Sequence, residues 1–144
     1  MKRGQFSRRT GAVTVEVAIV GPIIIFLILG VMGGAIGVFR YQQVALLARE
    51  GARWASVRGQ QYSASLHDDS ATAEEIYEAA VKPMSVGMRE SDLSYEISWP
   101  KFADGNDDKR QGNLVTVTVR YKWSMPPIFV PIEIKSTSKM PISF

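Results

Sequence analysis

Cysteine is absent from the 144 residues, which excludes disulfide staples, thiolate metal sites, cysteine nucleophiles and haem attachment through cysteine. Small exported domains often lean on disulfides. This one must instead hold its fold by packing, by its long apolar helix, or by neighbours. Histidine is nearly absent too: His67 is the single one, beside Asp68 and Asp69. A zinc site needs several ligands, so no metal is expected there. No nucleophile–base pairing and no glycine-rich phosphate loop stands out. The residues read as non-enzymatic, with no cofactor. The most telling scarcity is local. Between Gly11 and Phe39 one ionisable residue occurs, Glu16.

What fills that stretch is apolar. Ala12 to Phe39 would form a helix ~42 Å long at ~1.5 Å per residue, and about 20 such residues cover a bilayer core. A carboxylate inside the run costs free energy, so it needs a functional or positional reason. The run is about twice the ~7–15 residues of a secretory signal core, and its only approximate cleavage site of that kind, Ala35-Ile36-Gly37, lies far along it. The segment is therefore expected to be retained. Pro22 should kink the helix. Gly30, Gly33, Gly34 and Gly37 form two overlapping small-xxx-small pairs, 30/34 and 33/37, that would let another helix approach closely.

Net charge is +3 and the pI is near 9.3. The excess sits in the head, where Lys2, Arg3, Arg8 and Arg9 have no acidic neighbour, so no nucleic acid partner is expected. A basic flank beside a membrane span has a simpler cause. Arg40, Arg49, Arg53 and Arg58 follow the span, so charge alone barely separates its two ends.

Beyond Phe39, Val44, Leu47 or Ala48, Gly51 and Ala55 recur on one helical face. One nearly continuous helix is expected from about Ala12 to Arg58, ended by Gly59, with Gln60 to Ser70 as a polar linker. Thr72 and Glu75 fit a capping box, and Ile76, Tyr77, Ala80, Val81 and Met84 line the helix it opens until Pro83 kinks or ends it. The period then changes to two. Leu93, Tyr95, Ile97 and Trp99 alternate with polar residues, as do Val115, Val117, Val119, Tyr121 and Trp123, and a third strand is expected near Ile132 to Met140. One-sided alternation indicates antiparallel strands with a single buried face. Within Ala103 to Asn113, Asp104, Asn106 and Asp108 alternate as calcium ligands might in an EF-type loop, but that loop needs glycine sixth and glutamate twelfth, where this chain has Lys109 and Val115. A polar hairpin loop is the better reading.

The expected fold class is α+β: a long N-terminal transmembrane and stalk helix, then a small domain of about three antiparallel strands packed on one or two helices. The expected divisions are a leader (1–11), a transmembrane helix (12–39), a helical stalk (40–59) and an extracytoplasmic domain (60–144).

The basic head followed by Gly11-Ala12-Val13-Thr14-Val15-Glu16 resembles a class III, prepilin-type signal. The larger pattern resembles the TadE-like family of minor pseudopilins from tight-adherence (Flp-type) pilus systems: Gly11, Glu16, Pro22, Gly30 and Arg49-Glu50-Gly51-Ala52-Arg53 match in order. After Gly30 it departs, with Val31-Met32-Gly33-Gly34 where many relatives carry a second acid.

The resemblance implies a non-enzymatic component that helps assemble an adhesive pilus. Its partners would be a prepilin peptidase cutting between Gly11 and Ala12, other pilus subunits or pseudopilins, an inner-membrane assembly platform, and membrane lipid. It would pass once through the bacterial inner membrane, with its N-terminus cytoplasmic and its C-terminal domain periplasmic. Cleavage would place a new amine on Ala12, about one helical turn from Glu16, where a cation stabilises a carboxylate in low dielectric. Arg49, Arg53 and Arg58 could bind anionic headgroups or acids on a partner. Two alternatives stay open: a minor pseudopilin of a type II secretion system, and an uncleaved membrane-anchored binding or sensor domain.

Overall fold

The computed structural model describes residues 6–66, 72–124 and 131–143. It contains a 51-residue helix, α1 (Phe6–Ser56), a short α2 (Gln60–Leu66), a one-turn α3 (Ala73–Ile76) and three strands, β1 (Leu93–Ser98), β2 (Leu114–Ser124) and β3 (Pro131–Pro141). The expected α+β class is what forms. The chain divides into two compact units, one ending at Gly37 and one from Val38 to Phe144, and α1 contributes to both.

In the first unit α1 is long and apolar enough to cross a membrane. Its side chains from Gly11 to Val20 are all exposed, and none of the large apolar residues there meets a core. The helix begins at Phe6, upstream of the expected Ala12, so the Gly11–Ala12 peptide lies inside it. Pro22 is accommodated without ending it.

The second unit is a three-stranded antiparallel sheet in the order β1-β2-β3. The registers Ile97↔Val117 and Tyr121↔Ile134 bring the alternating apolar residues of neighbouring strands onto one face. Val115, Val117, Val119 and Tyr121 are buried, as is Ile134. The residues read as a stalk cover that face. Val44, Leu47, Ala48, Ala52 and Ala55 join the sheet, Ile76 and Val81 in one core. Gly51 makes this possible: a Cβ there would lie 3.2 Å from Val117 Cγ1 and 3.4 Å from Val81 Cγ2. Small residues on the inner face of α1 let a helix lie close on branched strand side chains.

Thr72 caps α3 in the anticipated way, its hydroxyl accepting from Glu75 N–H while the Glu75 carboxylate accepts from Thr72 N–H. The helix then widens to a π-turn over Tyr77–Val81 and tightens to 3₁₀ over Lys82–Met84, because Pro83 cannot continue the α ladder. Ile76, Ala80 and Val81 are buried, whereas Met84 is exposed.

Two expectations need correction. The long helix ends at Ser56, before Arg58 and Gly59. Ser143 supplies the reason: its N–H and its hydroxyl both donate to the Ser56 carbonyl, at 2.8 and 3.2 Å, satisfying one of the carbonyls a helix end leaves unpaired. Gln60 to Leu66 is also no linker but helix α2. Arg58 draws it in, lying 3.8 Å above the Trp54 ring and 5.4 Å from the Tyr62 ring, a cation–π arrangement that a hydropathy pattern does not display. The His67 reading falls outside the described residues.

Candidate functional site

Two sets of residues carry the functional expectations, one in each unit. In the first, Gly11, Ala12 and Glu16 are exposed along α1. Glu16 stands four positions after Ala12 in the α-helix, which puts the two on one face about a turn apart. Added Cβ atoms on Gly11, Gly30 or Gly34 would meet nothing within 4 Å. The Gly30/Gly34 face is therefore open to a neighbouring helix.

In the second unit the three candidate arginines have different surroundings. Arg49 is exposed. Arg53 is three-quarters exposed and lies 4.0 Å from Glu50, a surface pair of little energetic weight. Arg58 is held between aromatic rings, as above. Arg53 and Glu50 border an open groove of about 390 Å³ completed by Trp54, Val57, Ala79, Ala80 and Met84. The pattern reading missed this groove. Its available signal was Trp54, near the end of α1, and Val57, an exposed apolar residue just beyond the helix.

The loop that tempted a calcium reading uses its carboxylates internally. Asp104 accepts from the backbone N–H and side-chain amide of Asn106. The buried Asp108 takes Arg110 Nε at 2.8 Å and Nη2 at 2.6 Å. That guanidinium, aided by hydrogen bonds from Asn113 and the Arg110 backbone against the cost of burial, holds the Asp108 carboxyl down at about 2. Lys101 and Asp107 form an antiparallel bridge, so the segment is a structured β1–β2 connection. Among the described residues no cluster of three or more His, Cys, Asp or Glu could hold a metal ion.

The model of the TadE-like protein family matches residues 11–53. Those residues are similar to the TadE-like family. The match starts at the expected cleavage glycine and takes in Glu16, Pro22, Gly30 and the Arg49–Arg53 stretch. It suggests involvement in Tad pilus systems. No curated protein and no solved structure matches the chain.

The TadE-like segment thus combines two physical jobs. Its first part is the exposed apolar helix, and its last part is the face of α1 that lies on the sheet. Within Arg49–Arg53 the buried residues are Gly51 and Ala52, while both arginines point outward. Glycine and alanine in this stretch serve the core. The charged residues are available to a partner.

Proposed function

We propose that the protein is a minor pseudopilin of a tight-adherence pilus, processed by a prepilin peptidase and acting through protein–protein contacts rather than catalysis. The observation that carries this reading is Glu16, the one ionisable residue of the apolar run Gly11–Phe39, in a TadE-like segment that begins at Gly11.

The peptidase would cut between Gly11 and Ala12. A peptide within an α-helix must open before a protease can engage it. Glycine eases that opening, since it is about 1 kcal/mol poorer than alanine in a helix interior and leaves the backbone accessible. The basic head would remain in the cytoplasm and the sheet domain would lie in the periplasm. Glu16 would then meet the Ala12 amine of its own or a neighbouring subunit inside the membrane. Gly30, Gly33, Gly34 and Gly37 would pack against another helix. Arg49 and Arg53 would face acidic groups on pilus subunits or the assembly platform.

Intact mass of the protein extracted from its native membrane tests the processing. A mature chain of 133 residues, lacking residues 1–11 of 144, is expected where the peptidase is present, and the full chain where it is deleted. The full chain in both strains would remove the pseudopilin reading and leave an uncleaved anchored domain.

A further inference from the structure

A bare valine marks the tip of one turn in the second unit. Met88 N–H donates to the Ser85 carbonyl at 3.0 Å, closing the turn Ser85-Val86-Gly87-Met88. Gly87 has φ +74°, the positive value that the third position of such a turn demands and that glycine meets without strain. Ser85 is buried and its hydroxyl donates to the Lys82 carbonyl, so the turn is anchored at its base. Turn tips ordinarily carry glycine, proline, asparagine, aspartate or serine. Here Val86 stands 75 % exposed, the most exposed of the large apolar side chains among the described residues.

The neighbour of this turn gives its position a meaning. The Gly87 Cα faces Arg40, whose Nη1 and Nη2 would lie 3.7 and 3.8 Å from a Cβ built on it. Arg40 is the first residue after the apolar run that ends at Phe39, and it donates from Nη1 to Gln43 Oε1 at 2.8 Å. Tyr41 beside it is more than half exposed, as are Val38 and Phe39. Arginine and tyrosine flanking an apolar span mark headgroup level in membrane helices. The turn and Arg40 lie beside each other within one unit.

We propose that the Ser85–Met88 turn is a lipid-contacting tip, with Val86 seated at the boundary between headgroups and acyl chains of the membrane that α1 crosses. The inference rests on the membrane-spanning reading of α1. The flanking charges fit a headgroup layer: Arg89 and Glu90 are exposed, and Lys82 is tied to Glu78 at 2.8 Å. Such a tip adds a second point of attachment beside the helix and restricts how the domain tilts on the bilayer surface.

The absence of cysteine makes the test direct. Three single-cysteine variants of the full chain, Val86→Cys, Ile24→Cys and Gln61→Cys, each carry one polarity-sensitive fluorophore. They are reconstituted in two sets of vesicles of phosphatidylethanolamine and phosphatidylglycerol, one containing a lipid spin-labelled near the headgroup end of its acyl chain, which reads positions 61 and 86, and one labelled near the methyl end, which reads position 24. Position 61 follows α1, whose end at Ser56 lies about 24 Å along the helix from Arg40 at ~1.5 Å per residue, and serves as the aqueous reference. Loss of emission is expected at positions 24 and 86, with none at 61. Quenching at 24 without quenching at 86 overturns the tip and leaves the span. No quenching at 24 overturns the span, and the tip with it. Equal quenching at 61 and 86 shows general adsorption and overturns the specific placement.

Discussion

Gly51 governs how closely the helix and sheet meet, and the argument for it is steric. Alanine there gains about 1 kcal/mol of helix propensity but puts a methyl 3.2 Å from Val117 Cγ1, a branched side chain with little rotamer freedom. No net gain is expected from Gly51→Ala. Gly51→Leu should lose at least the ~1–3 kcal/mol typical of overpacking, read as a lower denaturant midpoint by tryptophan fluorescence. A leucine variant as stable as wild type would show that the two layers are loosely apposed.

Asp108 makes a pH-dependent contribution at the same scale. Its carboxyl is lowered from 3.8 to about 2, first by the Arg110 hydrogen bonds. The unfolded chain therefore takes up that proton at a higher pH than the folded one. The stabilisation is complete above about pH 4 and is lost as pH falls towards 2. Asp108→Asn should be less stable at pH 7 and should lose less on going from pH 4 to pH 2. Parallel acid-denaturation curves for the two proteins would refute that role.

At the scale of elements, the short helix after Thr72 is a dependent structure. Four α-helical residues cannot stand alone, so it persists because its cap is made and because Ile76, Ala80 and Val81 enter the core. Thr72→Ala should cost about 1 kcal/mol and raise amide exchange through residues 73–81. Thr72→Ser should restore protection. Exchange unchanged in the alanine variant would mean that packing alone holds the segment. The stacked Tyr77 and Tyr95 rings, 4.3 Å apart and 9° from parallel, join this segment to β1 as well.

For the whole molecule, most of the exposed apolar run and the packed core fall in different units. Glu16 lies in the first unit and the sheet core in the second, so Glu16→Ala should leave the domain's fold and the protein level unchanged. Insertion should become slightly easier, since acidic residues are costly within a span. Association should weaken, by about 3–5 kcal/mol if a well-buried partner charge is stranded. Piliation assays on a Glu16→Ala strain would read this as a loss of assembly at normal membrane content. Wild-type piliation would remove the counterion role and leave Glu16 as a bilayer-edge residue.

The sequence by itself determined the features that rest on local pattern. The apolar run, the one-sided alternation of the strands, the Thr72–Glu75 cap and the inner face Val44–Ala55 are all periodicities or short motifs, and each follows from the geometry of one element. Tertiary structure decided what depends on groups distant in the chain. Ser143 ends α1 from 87 residues away; the Arg58–Trp54 stacking and the Arg110 hold on the Asp108 carboxylate that resembled a calcium ligand are closer in the chain but are side-chain geometries that a hydropathy pattern does not display. The same holds for Arg49–Arg53, a motif in which the arginines drew attention while Gly51 makes the close contact. A glycine's worth is the space it leaves, and only the packed neighbours Val117 and Val81 show that the space is needed.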